Sequence, residues 1–118
     1  MIGIRLLASL FLASAATVAG AAEVSFVTCD NGLRCFRPPC PAQDVVLLPS
    51  GRRLARTGPD LAGLTSAERQ RLVESDGLYY GTMVLAGTVE QGPATKVVAR
   101  SIVRPATRAE ADLCRRRR

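Results

Sequence analysis

Histidine and tryptophan are absent from this chain, and lysine occurs once, at Lys96. Without histidine there is no imidazole base, no Ser-His-Asp or Cys-His pair and no imidazole metal ligand. Lys96 lies in a strand-like stretch with no partner around it. Aromatic residues make up 4% of the chain, and beyond residue 21 they are Phe26, Phe36, Tyr79 and Tyr80. None of them interleaves with basic residues as a stacking platform, so nucleic acid is not the expected partner. No Cys-x-x-Cys redox pair is present. The cysteine spacings, with five and four residues between the first three, do not match the tighter pairs of structural zinc sites. No metal or cofactor is therefore expected. Acid–base chemistry is left to carboxylates, and the sequence-adjacent pairs are Glu74 with Asp76 and Glu110 with Asp112. Helix positions two apart do not face each other, so these read more simply as solvent-facing or helix-end charges.

The amino terminus carries a clear pattern. One positive charge, Arg5, precedes an uncharged Leu- and Ala-rich run over residues 6–18, and the small-residue triplet Ala19-Gly20-Ala21 follows. That is the order of a secretory signal peptide over residues 1–21. The competing reading is a buried amino-terminal helix. The run is shorter than the ~20 residues that span a bilayer, and no second long apolar run follows it. No cysteine follows the triplet, which argues against a lipid-anchored lipoprotein. The expected location is secreted or periplasmic.

Cleavage after Ala21 leaves 97 of the 118 residues, enough for one small domain with a marginal core. All four cysteines, Cys29, Cys35, Cys40 and Cys114, lie in that part. In an oxidising compartment they are expected to form two disulfides. Cys35–Cys40 with Cys29–Cys114 is the favoured pairing, and Cys29–Cys40 with Cys35–Cys114 is the alternative. Loss of Arg5 with the leader lowers the net charge from +6 to +5, and Arg115, Arg116, Arg117 and Arg118 supply four of those charges. The body is thus nearly neutral and the basic character is a tail. It reads either as a phosphate- or anion-binding element or as a solvated chain end. A bridge from Cys114 to the body would place it beside Arg100 and Arg104.

Alternation of apolar and polar residues predicts a strand over residues 23–28; a second strand is expected over 43–48, with Asp-Val-Val-Leu-Leu at its centre, and a short return strand over 52–56. The segment from Cys29 to Pro41 is turn-rich, and its prolines exclude helix and central strand. Thr65-Ser66-Ala67-Glu68 is a capping box opening a helix to about Glu74, whose apolar face would hold Leu72 and Val73 with Ala67 or Leu64. The longest strand signal covers residues 78–90, with Gly81, Met83, Leu85, Gly87 and Val89 on one face and Tyr80, Thr82, Val84, Ala86 and Thr88 on the other. Its glycines suggest a bulge or bend. A return strand over 95–104 would put Val97, Ala99, Ser101 and Val103 opposite Val98, Arg100, Ile102 and Arg104. Thr107-Arg108-Ala109-Glu110 caps a short terminal helix carrying Cys114. The expected class is β-rich α+β: a small antiparallel sheet or partly closed barrel of four to five strands with one or two short helices. The bend glycines favour the barrel version.

The segment Arg34-Cys35-Phe36-Arg37-Pro38-Pro39-Cys40-Pro41 resembles the Cys-x-x-Pro-x-Cys opening motif of an uncharacterised family of small exported bacterial domains, a domain of unknown function. Asp60-Leu61-Ala62-Gly63-Leu64 is similar to that family's Asp-Leu-x-x-Leu element. Tyr80-Gly81-Thr82-Met83-Val84 is similar to its glycine-containing hairpin. This chain lacks the further mid-chain cysteines of such domains. The resemblance implies export and a small disulfide-bonded fold, and it implies no activity.

Two function classes follow. The first is a non-enzymatic exported or envelope-associated binding domain, contacting an anionic envelope component or another protein through the disulfide-stiffened Arg-Pro-Pro loop. The second is a periplasmic hydrolase built on carboxylates, which would need two acids about 5–9 Å apart in one concave site.

Overall fold

The computed structural model describes residues 22–116. The expected leader over residues 1–21, together with Arg117 and Arg118, lies outside the described residues. The strands are β1 (Ala22–Asp30), β2 (Gln43–Leu48), β3 (Arg53–Leu54), β4 (Met83–Glu90) and β5 (Lys96–Pro105). The helices are α1 (Ser66–Glu74), α2 (Gly77–Tyr80) and α3 (Arg108–Asp112), which runs into a 3-10 turn at Leu113–Arg115. The strands form one antiparallel sheet in the order β3-β2-β1-β4-β5. The architecture is the expected β-rich α+β class, in its open-sheet version. β3 and β5 stand at opposite edges and do not close into a barrel.

Alternation along β1 and β2 sorts the apolar residues onto two faces. Phe26, Val45, Leu85, Val97 and Ala99 line the first face, where Leu64 and Leu72 cover them from the α1 side. Val27, Cys29, Val46 and Val84 line the second, covered by Ala106, Leu113 and Cys114 of the carboxy-terminal segment. The sheet is therefore sandwiched between α1 and the chain end. Cys29–Cys114 fastens the second layer and Cys35–Cys40 closes the turn-rich loop. This is the favoured pairing of the two alternatives.

Several local expectations are corrected. The return strand over 52–56 shortens to Arg53–Leu54, because Arg56 turns the chain in a left-handed conformation at φ 57°. The long strand begins at Met83 rather than Leu78. Residues 77–80 instead form the helical turn α2, with the Tyr79 and Tyr80 amides donating to the Asp76 carbonyl. Gly81 then reverses the chain at φ 66°, and a side chain there would overlap Cys114 Sγ. The glycine thus gives the disulfide its seat. The helix count rises to three as a result. In α1 the capping box forms between Thr65 and Glu68 as expected, but the buried partner of Leu72 is Leu64. Val73 and Ala67 point to solvent.

The return strand carries two irregularities. Gly87 pairs with Ala99 and Ala86 with Ser101, so Arg100 is an extra residue. Val103 is likewise extra between Ile102 and Arg104. Each bulge inverts the alternation. Ile102 therefore joins Val97 and Ala99 on the first face, where Ser101 and Val103 were expected. Gly87 permits the tight pairing, since a Cβ there would strike the Val98 carbonyl oxygen. The outer edge of β5 is not left open. The Ala99 amide donates to the Asp60 carbonyl at 2.9 Å and the Ile102 amide to Glu68 Oε2 at 3.0 Å. Both contacts blunt an edge that would otherwise invite strand pairing.

Candidate functional site

The loop between β1 and β2 is built from its base outward. The Asn31 amide donates to the Ala42 carbonyl at 2.9 Å, and Asn31 Nδ2 donates to the Pro41 carbonyl at 2.8 Å. Asn31 Oδ1 accepts from the Leu33 amide. Arg34 pairs with Asp30 at 3.0 Å on the surface. Beyond this stem, Cys35–Cys40 closes a short ring whose intervening residues, Phe36, Arg37, Pro38 and Pro39, are all exposed. Phe36 buries none of its ring against the rest of the chain, at 108% relative exposure. The loop is a projection stiffened by a disulfide and two prolines.

At the loop's root, on the second sheet face, Asp44 is buried and multiply held. It accepts from Arg53 Nε at 2.6 Å, from the Arg56 amide at 2.8 Å and from Asn31 Nδ2 at 3.0 Å. Burial pushes this carboxyl upward. The hydrogen bonds from the Arg56 backbone, Arg53 and Asn31, with the Arg53 charge, outweigh it and hold the group below its usual range. This polar centre was not singled out from sequence. Its signal was an acid at a core-facing strand position, on the same face as Val46 and Leu48. Asp44 and Arg53 border a cleft of about 690 Å³, together with Ser50, Arg52, Leu113 and Arg116.

A second cleft of about 630 Å³ lies between α2 and the chain end, bordered by Asp30, Tyr79, Tyr80, Thr82 and Arg115. The two tyrosine rings meet edge-on at 4.5 Å. The two described arginines of the basic tail therefore separate. Arg115 borders this cleft and pairs with Asp112 at 2.9 Å, while Arg116 borders the first. The tail was expected beside Arg100 and Arg104. The bridge instead carries Arg116 to Arg52 and Arg53, at the opposite edge of the sheet from β5. Arg104 is in any case engaged by Glu110 through two hydrogen bonds of 2.6 and 2.9 Å.

The carboxylate pairs read from sequence serve local structure. Glu74 accepts from Gln70, and Glu110 completes the α3 capping box while binding Arg104. None of Glu74, Asp76, Glu110 and Asp112 borders either cleft. Each cleft holds one acid, Asp44 or Asp30, already paired with an arginine. Lys96 pairs with Asp60 at 3.5 Å on the surface. Among the described residues no group of three or more acids or cysteines is placed to hold a metal ion.

Several acids share one electrostatic trend. Arg104 and the Thr107 amide hold Glu110 down to about 2. The Ile102 and Thr65 amides lower Glu68, and the Ala62 amide lowers Asp60. A carboxyl whose folded pKa is depressed stabilises the fold above its unfolded value, and this stability is lost as pH falls through the folded value. For Glu110 the window runs from about 4.5 down to about 2. Acid unfolding followed by circular dichroism should therefore steepen across this range, and Glu110→Gln should flatten the slope there. An unchanged slope in the variant would remove Glu110 from the account.

No protein-family model, curated protein or solved structure matches this chain.

Proposed function

We propose that this protein is an exported, non-catalytic binding domain that engages a partner protein through the Cys35–Cys40 loop. The observation that carries the reading is Phe36, an aromatic side chain held fully in solvent at the tip of a disulfide-closed ring. Burying a phenylalanine contributes about 1.5–3 kcal/mol, and this one forgoes that gain within its own fold. Pro38, Pro39 and the disulfide fix the loop beforehand, so little ordering entropy remains to oppose binding. Arg37 beside it makes no ion pair among the described residues, and phenylalanine and arginine are both enriched at protein interfaces.

Export is part of the same proposal. Its supports are the leader pattern, two disulfides suited to an oxidising compartment, and the likeness of the Cys35–Cys40 segment to small exported domains. No helix of the described residues is long and apolar enough to cross a membrane.

The test is site-specific photocrosslinking of the exported protein in the cells that make it. A photoreactive phenylalanine at position 36 should give one dominant protein adduct. The same group at Val73, another exposed apolar position, on α1, should not. Arg37→Glu should diminish the adduct without changing the melting temperature. The reading fails if positions 36 and 73 crosslink alike, or if neither does.

A further inference from the structure

The cleft between the β2–β3 turn and the carboxy-terminal 3-10 turn has a charge balance that its own residues leave incomplete. Three guanidinium groups, Arg52, Arg53 and Arg116, border it, against one carboxylate, Asp44. Both Asp44 oxygens are occupied: Oδ2 by Arg53 Nε, Oδ1 by Asn31 Nδ2 and the Arg56 amide. Asp44 pairs with Arg53 alone, and neither Arg52 nor Arg116 makes an ion pair among the described residues. By contrast Arg34, Arg104 and Arg115 each have a carboxylate partner within 3.0 Å.

Arg53 supplies the second observation. Its Nε is fixed on Asp44, while its Nη1 is enclosed and has no hydrogen-bond partner. A shielded N–H without an acceptor is costly, and a guanidinium offers five donors in a planar fork suited to oxyanions. The Ser50 hydroxyl accepts from the Arg52 amide at 3.2 Å, which leaves its own hydrogen to donate.

The fold also explains how Arg116 reaches this place. Cys114 is bonded to Cys29 in the middle of the sheet, and Leu113 packs on Val27, Val46 and Val84. The residue two positions beyond the anchor is thereby delivered to the β3 edge.

We propose that this cleft binds a phosphoryl group through Arg52, Arg53 and Arg116. The net charge of its border is +2, and a phosphate monoester carries about −1.5 to −2 at neutral pH. The cleft volume, about 690 Å³, leaves room for more than a bare phosphate. The ligand is thus a phosphorylated molecule, either a lipid headgroup or a soluble ester. This site is independent of the Phe36 loop and stands or falls separately from it.

The test uses the exported, processed protein and inorganic phosphate at low salt. The side-chain Nε–H resonances of Arg52, Arg53 and Arg116 are followed by nuclear magnetic resonance. Saturable shifts confined to these three are expected. Arg52→Gln with Arg116→Gln should weaken binding by about a hundredfold, roughly tenfold for each charged hydrogen-bonding partner lost. Arg100→Gln with Arg108→Gln, which removes two exposed charges elsewhere, should leave it unchanged. Both pairs change solvent-exposed side chains and keep the Arg53–Asp44 anchor, so unchanged melting temperatures confirm intact folds. Vesicles of phosphatidylcholine with phosphatidic acid identify the source. Sedimentation that depends on Arg52 and Arg116 assigns a lipid phosphate, and phosphate binding without sedimentation assigns a soluble ester. Unsaturable shifts, no shifts, or equal losses in the two double variants would overturn the proposal.

Discussion

Replacing Cys29 and Cys114 together by alanine should destabilise the domain by about 4.5 kcal/mol, and replacing Cys35 and Cys40 by about 2 kcal/mol. The difference comes from the unfolded chain. The first bridge closes a separation of 85 residues and the second a separation of 5. The entropy removed from the unfolded state grows with the logarithm of that length. For a domain of this size the melting temperature should fall by about 20 °C and about 10 °C respectively. Total stabilities of small domains are about 5–15 kcal/mol, so the first pair accounts for a large share of what holds this one together.

Packing adds in the same direction. Cys29 is 1% exposed within the second-face cluster, whereas Cys35 projects into solvent. Losing the long bridge also loosens Leu113 from Val27, Val46 and Val84. Thermal unfolding of the exported oxidised protein measures both effects, and equal losses from the two pairs would contradict the loop-length argument. The two bridges should also separate stability from binding. The variant lacking Cys35 and Cys40 should remain folded at room temperature yet lose the crosslink from position 36, because its loop is no longer held in shape.

The parts of the fold that were legible in the sequence were those with strong local signals. Both capping boxes formed where Ser/Thr-x-x-Glu patterns placed them. β1 is marked by period-two alternation, and β2 and β4 by short apolar runs bounded by turn residues. What failed was set by distant contacts. Simple alternation in β5 breaks at Arg100 because a bulge is a property of a strand pair, visible only when Gly87 is seen pressed against Val98. Tyr79 and Tyr80 have high strand propensity, yet they lie in a helical turn that ends at Gly81, which passes close beneath the Cys114 sulfur. Glycines that suggested barrel closure serve that turn and that bulge instead.

The candidate site was legible only in pieces. Pro38, Pro39 and the flanking cysteines marked a rigid loop, and the four terminal arginines marked a basic end. The sequence held no sign that Arg115 and Arg116 separate to different clefts, nor that Arg116 meets Arg52 and Arg53 across more than sixty residues of chain. That juxtaposition follows from sheet order and one disulfide, neither of which is a local property.

Arg53→Met should cost about 3 kcal/mol, because it leaves a buried carboxylate without its guanidinium partner. The value falls at the low end of the range for such losses, because Asp44 keeps its bonds from Asn31 and the Arg56 amide and the Arg53 side chain is 23% exposed. Adding Asp44→Asn should recover much of the loss, since the asparagine oxygen can still accept from the Arg56 amide while the uncompensated charge is gone. The pH dependence identifies the cause. In the native protein Arg53 helps hold Asp44 below its usual range, so its contribution is full above the unfolded pKa and declines as pH falls. In Arg53→Met, burial raises the same carboxyl, which takes up a proton more readily and ceases to be an unpaired charge. The stability difference between the two proteins should therefore be greatest above about pH 4, near the ordinary aspartate value, and shrink below it. Denaturant unfolding at neutral pH and at pH values below that point measures the change. A difference that stays constant with pH would mean that Arg53 stabilises the fold through the packing of its aliphatic stem, with its charge contributing little.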